Sequence, residues 1–240
     1  MARCVELDNV EHAHLRVAAR PAKDLLVNQA LVVPSEFEQL QREFPILFRK
    51  DTDGEYRSVA LLGLDRGENL FLSGHDWITH YVPATLRRGP LFLTVGDGDE
   101  AQNPGIVIDL DDPRVTESEG EPLFLSHGGA GPFLQQAAQA LRTVHEGLDS
   151  SRRMFALFVE LDLIAPVEID ADLGDGTRYR IPAVFTVSGE RLSELDGAAL
   201  ERLNRAGFLA AAIHVRSSLA NVNRLIDLKT RKLAGESGNG

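Results

Sequence analysis

The chain has 240 residues, 43% of them hydrophobic and 25% charged, with 25 basic against 36 acidic residues and a formal net charge of -11. These are the proportions of a globular chain with a packed core, and the acidic balance disfavours nonspecific binding to nucleic acid or anionic membrane, which needs a basic surface to displace counterions. Cys4 is the only cysteine, which excludes an intrachain disulfide and a four-cysteine zinc site within one chain and points to a reducing compartment.

The N-terminal stretch is interrupted by Glu6, Asp8 and Glu11, so it has no continuous apolar core of signal-peptide length. No run reaches the roughly 20 apolar residues that span a bilayer. The expected location is therefore cytoplasmic. His14–Val17 alternates as a short strand. Pro34-Ser35-Glu36 opens a helix, with Ser35 as the cap and Phe37, Leu40 and Phe44 at helical spacing, and Pro45 ends it. Ile46–Phe48 leads into the DTDG turn, and 56–64 returns as the second strand of a hairpin. Short strands follow at 69–72, 91–95 and 106–108, with a helical turn at 83–88 and a polar loop between the last two strands.

From Asp111 to Gly131 the chain is acidic and rich in Gly and Pro, and a long, partly ordered loop is expected there. A helix starts at Pro132 and runs through about Glu160, with Gly147 as its weak point. Residues 167–172 and 177–187 form a hairpin across GDG. Two helices close the chain, 195–204 and 208–232, with Gly207 at the cap between them. The second presents Phe208, Ala211, Ala212, Val215, Leu219, Val222 and Ile226 as one apolar face, for packing in its own domain, for a homodimer or for docking on a partner. The expected fold class is α+β. A strand-rich N-terminal half carries a mixed or antiparallel sheet, and a helical C-terminal half carries one β-hairpin. The chain reads as a single domain over 1–232, with a candidate subdomain boundary near 131 and a disordered tail at 233–240.

Candidate chemistry is sparse. His12 and His14 would share one face of a strand, and His75 and His80 flank Trp77. Two histidines with a carboxylate such as Asp76 would suit non-haem iron, but the spacing fits no metal pattern, and surface or hydrogen-bonded histidines are the plainer reading. No metal or cofactor is implied. Carboxylates cluster at Asp109–Asp112 and at Glu117–Glu121, either as a functional loop or as a solvated one. No nucleophile elbow, phosphate loop or dinucleotide fingerprint is present. His127-Gly-Gly-Ala-Gly131 before a helix start suits either an anion-holding backbone or a flexible connection. Trp77 and Tyr81, followed closely by Arg87 and Arg88, form the preferred surface, an aromatic and cationic one suited to a carboxylate, a phosphate or a peptide. The alternative is that the aromatics anchor a loop in the core while the arginines pair with the acidic segment.

The blocks H-LRV, REFPILF, VALLGL-GENLF, W---YVPATLRR-P, EGEPLF and SLANVNRL together resemble the SapC family of bacterial proteins, over nearly the whole chain. The resemblance carries no assigned catalytic residues. Trp77, Tyr81, Arg87, Arg88, Glu119, Glu121 and Pro122 match its pattern and serve as the candidate ligand- or partner-binding residues. The chain departs from the pattern at Gly89, before Pro90, where relatives are expected to carry a larger residue. The resemblance implies an accessory of outer-membrane TonB-dependent receptor loci, beside flavin-dependent halogenase-like enzymes. The lack of a nucleophile–base set, a metal set or a nucleotide loop, together with the aromatic–arginine segment and the long acidic loop, makes a soluble protein that binds a protein or peptide partner the expected function. An enzyme of unrecognised type and a surface-layer structural protein are the alternatives.

Overall fold

The computed structural model describes residues 3–20, 22–74, 76–94, 104–173 and 176–237. In chain order the strands are β1 (Cys4–Glu6), β2 (Arg16–Val17), β3 (Gln29–Leu31), β4 (Ile46–Lys50), β5 (Tyr56–Leu61), β6 (Leu72–Ser73), β7 (Asp76–Trp77), β8 (Leu91–Leu93), β9 (Ile106–Asp109), β10 (Val115–Thr116), β11 (Glu121–Pro122), β12 (Ile164–Asp172) and β13 (Arg178–Val187). The helices are α1 (Phe37–Leu40), α2 (Ala84–Arg87), α3 (Pro132–Glu160), α4 (Gly189–Ser193), α5 (Gly197–Arg205), α6 (Leu209–Ser218) and α7 (Asn221–Ser237). Antiparallel strands dominate the first half and helices the second, so the fold is α+β. The polar loop expected after β8 lies largely outside the described residues, as do His75 and residues 238–240. The helix that closes the chain reaches Ser237, beyond the point where a tail was expected to begin.

The chain divides into two compact units, one made of residues 1–25, 73–76 and 84–145, the other of residues 26–72, 77–83 and 146–240. In the first unit two three-stranded antiparallel sheets have the orders β1-β9-β8 and β10-β2-β11. Their apolar residues Leu15, Val17, Leu91, Ile108 and Leu123 form one core with Leu134, Ala137 and Leu141. The last three recur at i, i+3 and i+7, the period that puts them on one helix face.

The acidic stretch 111–131 is more ordered than its composition suggests. β10 and β11 pair with opposite edges of β2, so that Val17 has both Val115 and Glu121 as register partners. Between them Thr116 Oγ1 donates to the Glu119 carbonyl at 2.6 Å and accepts from the Glu119 N–H at 3.1 Å. Sheet and turn bonds thus take up backbone groups between residues 115 and 122, which a composition-based reading does not register. The expected His12–His14 strand face is absent. His12 is buried in a turn, where its Nδ1 accepts from the Asp8 N–H at 3.0 Å, and the strand begins only at Arg16.

The second unit holds a five-stranded antiparallel sheet of order β12-β13-β4-β5-β3. The DTDG turn closes β4 onto β5 as expected: the Asp51 carboxylate accepts from the N–H groups of Asp53 at 3.0 Å and Glu55 at 2.9 Å. The 164–187 hairpin also forms, longer than its sequence signal. Phe37, Leu40, Phe44, Phe48, Phe71 and Phe158 are fully buried. The Phe44 and Phe71 rings lie 4.6 Å apart, and Phe48 meets Phe155 edge-on at 5.0 Å, geometries that add to simple area burial. The first helix opens with a 3-10 turn at Pro34–Glu36. Its cap is not Ser35. The Glu36 carboxylate reaches back to the Val33 N–H at 3.1 Å.

Gly147 does not break α3. A Cβ built there would lie 2.4–2.6 Å from the Cβ and both Cγ atoms of Val33, so glycine is the residue that lets the helix pass this side chain. The expected single helix over 208–232 is instead α6 and α7, separated at Leu219–Ala220. The N–H groups of Ala220, Val222 and Asn223 bond to carbonyls three residues back, which tightens the turn. Side chains at this junction satisfy backbone groups elsewhere in the unit. Ser218 Oγ accepts from the Ile46 N–H at 2.9 Å, and Asn221 Nδ2 donates to the Gln41 and Phe44 carbonyls at 2.9 and 3.1 Å. Phe208, Ala211, Ala212, Val215 and Leu225 are buried, whereas Leu219, Val222 and Ile226 are only partly so, because the junction turns the face. Ser218→Ala leaves the Ile46 N–H buried without its acceptor. It should cost about 1–3 kcal/mol in a urea titration, and a loss under about 0.5 kcal/mol would show the bond to be dispensable.

Candidate functional site

The second unit contains an open recess of about 520 Å³ lined by Gln39, Arg42, Glu43, His80, Tyr81 and Arg224. Three stretches of chain supply it: α1 with the turn after it, the His80-Tyr81 segment, and the first turns of α7. Glu43 organises it. This carboxylate is buried at 7% exposure. It accepts from the His80 N–H at 3.0 Å and the Tyr81 N–H at 3.3 Å, lies 3.4 Å from His80 Nδ1, and pairs with Arg224 Nη1 at 3.5 Å. Two backbone donors and a guanidinium offset the cost of removing its charge from water.

Glu36, seven residues earlier, is 1% exposed and accepts from Tyr81 Oη at 3.1 Å as well as from Val33. Tyr81 is therefore fixed at both its backbone and its ring end. Around this floor the basic groups are solvent-facing. The His80 ring is fully exposed. Arg42 makes only a 3.5 Å contact with Glu38, both side chains being mostly in water, a pairing worth little. Arg224 is partly exposed, and its guanidinium lies 5.6 Å from the centroid of the Phe71 ring.

Of the residues singled out in the sequence, Tyr81 lines this recess. Trp77 lies in the same unit, in β7, and is partly buried. Arg87, Arg88, Glu119, Glu121 and Pro122 belong to the first unit, so no site within one unit holds all seven. Arg87 lines a smaller cavity of about 330 Å³ with Gln135, Gln136 and Gln139. Arg88 is occupied locally. Its guanidinium stacks 3.9 Å over the Phe92 ring and donates to the Gly89 and Leu91 carbonyls at 3.1 and 2.9 Å.

Burial lowers the pKa of Arg88, against the pull of Asp24. Nearby, burial works against the charge of Arg114 and Asp112, and their mutual bonds prevail: Arg114 Nη2 meets Asp112 Oδ2 at 2.7 Å and Asp24 Oδ2 at 2.9 Å, which raises the Arg114 pKa and lowers that of Asp112. Glu119 pairs with Arg20. Glu121 and Pro122 form β11. The acidic segment thus spends Asp112 and Glu119 on neighbouring arginines. Gly89 has φ +61°, and a Cβ there would lie 2.6 Å from Phe133 Cζ, so the departure from the expected larger residue is a close approach to that ring.

Sequence reasoning missed Gln39, Arg42, Glu43 and Arg224. One signal was available: Glu36 and Glu43 are seven residues apart and so share a helix face with Leu40, where carboxylates need partners. Nothing local pointed to Arg224, which lies 181 residues beyond Glu43. Among the described residues no group of three or more His, Cys, Asp and Glu side chains is placed to hold a metal ion, and no helix is long and apolar enough to cross a membrane. A family model described as SapC matches residues 7–225. No curated protein and no solved structure matches the chain.

Proposed function

The chain belongs to the SapC family, and from that premise we propose that it is an accessory protein whose work is to bind a protein or peptide partner. The observation that carries this reading is the recess around Glu43, in which a rigid floor supports exposed hydrogen-bond donors. Tyr81 and the His80 backbone are fixed by Glu36 and Glu43, while Arg42, Arg224 and the His80 ring face outward. The held floor needs no ordering on binding, which leaves only the outward side chains to be ordered by a ligand. Arginine and tyrosine are also the residue types that recur in the energetic centres of protein interfaces. A flavoprotein of the halogenase type is the partner class that the family resemblance suggests.

The test is affinity capture from native lysate with the intact chain as bait, beside Arg224→Gln. The expected result is one protein recovered in near-stoichiometric amount by the parent chain and reduced at least tenfold with the variant. Recovery of no protein above an unrelated bait would overturn the proposal.

A further inference from the structure

We infer that the recess of the second unit recognises a carboxylate, presented as the acidic side chain of a peptide. The inference rests on the reading of the chain as a peptide- or protein-binding module and names the chemistry that the site would take. Its lining carries two arginines against one carboxylate in a chain whose net charge is -11, so the recess runs against the charge of the molecule as a whole. That one carboxylate is already engaged. Glu43 is buried and satisfied by the His80 and Tyr81 N–H groups and by Arg224 Nη1. Its 3.5 Å ion pair neutralises part of the Arg224 charge.

The contact runs through a single nitrogen at 3.5 Å, and among the described residues it is the ion pair of Arg224. A guanidinium has five donors in a flat fork that matches the two oxygens of a carboxylate, so most of that fork remains for a ligand. Arg42 supplies a second fork. Its partner Glu38 is mostly exposed, so an incoming carboxylate can replace it at little cost. Gln39 adds a neutral amide and the exposed His80 ring adds further donor capacity. The volume, about 520 Å³, is ample for one or two side chains.

The experiment is a nitrogen–proton correlation titration of the intact chain, read at the arginine Nε–H groups and the backbone amides. The probes are acetyl-Glu-Glu-amide, the isosteric acetyl-Gln-Gln-amide and inorganic phosphate. Acetyl-Glu-Glu-amide should shift Arg42 Nε, Arg224 Nε and the Tyr81 amide saturably. The glutamine peptide should bind at least tenfold more weakly. Arg42→Gln, whose ion pair is with the mostly exposed Glu38, should weaken binding about tenfold with the fold's backbone amides otherwise unchanged, and Arg42→Gln/Arg224→Gln should abolish it. Equal binding of the two peptides would overturn the assignment, as would shifts confined to other surfaces. Phosphate binding tenfold tighter than the acidic peptide would also overturn it, because the anion would then be of another class. Capture of a partner in lysate that survives the double variant would remove the carboxylate assignment and leave the binding function standing. Failure of the parent chain to capture any partner would instead count against that function itself.

Discussion

Lys229→Met should destabilise the protein by about 3 kcal/mol, measured by urea unfolding at neutral pH. Lys229 is 4% exposed, and its Nζ donates to Asp65 Oδ2 at 2.6 Å and Glu68 Oε1 at 2.8 Å, with the Tyr179 ring 5.3 Å away. Glu68 is itself 7% exposed. Removing one member of a buried pair strands the other, which costs roughly 3–5 kcal/mol. The lower end applies because Lys232 still reaches Glu68 Oε1 at 3.0 Å and the Leu64 and Asp65 N–H groups still donate to Oε2 at 3.2 and 3.3 Å. Glu68→Gln on top of Lys229→Met removes the stranded charge and should recover part of the loss. A single-variant cost below about 1 kcal/mol would show that water already solvates the network.

The same network sets a pH window. Burial pushes the Glu68 pKa up, but the bonds from Lys229, Lys232 and the Asp65 amide outweigh it and hold the group below its ordinary 4.5. Its contribution to stability is therefore complete above about pH 4.5 and is lost as the pH falls through the lower folded value. Burial pushes the Lys229 pKa down, yet its bonds to Asp65 and Glu68 prevail and raise it above its ordinary 10.5. That contribution is complete below about pH 10.5 and is lost as the pH rises through the higher folded value. The parent chain should lose stability on both sides of this plateau. Lys229→Met should remove the dependence on Lys229 at the alkaline end and weaken the dependence on Glu68 at the acid end.

Gly147→Ala should destabilise by about 1–3 kcal/mol, although the same exchange in an exposed helix interior stabilises by about 1 kcal/mol. The added Cβ would enter the space of Val33, a residue with no exposed surface. Because the Val33 Cβ is itself the nearest atom, at 2.4 Å, shortening Val33 to alanine does not relieve the clash, whereas Val33→Gly does. The double variant Val33→Gly/Gly147→Ala should be more stable than the sum of its parts by at least about 1 kcal/mol, the sign of direct coupling. Gly197→Ala is the control. Among the described residues nothing beyond its chain neighbours and its own helix backbone lies within 4 Å of a Cβ there, and the change should stay within about 0.5 kcal/mol of neutral or stabilise. Additive effects at positions 33 and 147 would mean that the helix shifts to accommodate the new carbon.

Local sequence was sufficient where the deciding interactions are local. The Asp51–Glu55 turn closes on its own carboxylate, the 164–187 hairpin forms around its Gly-containing turn, and Leu134, Ala137 and Leu141 declare a buried face by their spacing. The α+β class follows from these elements. Tertiary structure decided what depends on partners far along the chain. Composition marks 111–131 as a long, partly ordered loop, but β2 offers two edges that pair with residues 115–116 and 121–122. A long apolar period continues from Phe208 to Ile226, but Ser218 and Asn221 bond to the backbone around residues 41–46 and the helix breaks there. The candidate site has the same character. Arg224, like Glu68 and Lys229, carries no local sign of its partner, and the seven-residue spacing of Glu36 and Glu43 says only that a carboxylate there needs one. A buried charge persists only with its counter-charge beside it, and the sequence lists both members of each pair without saying that they meet.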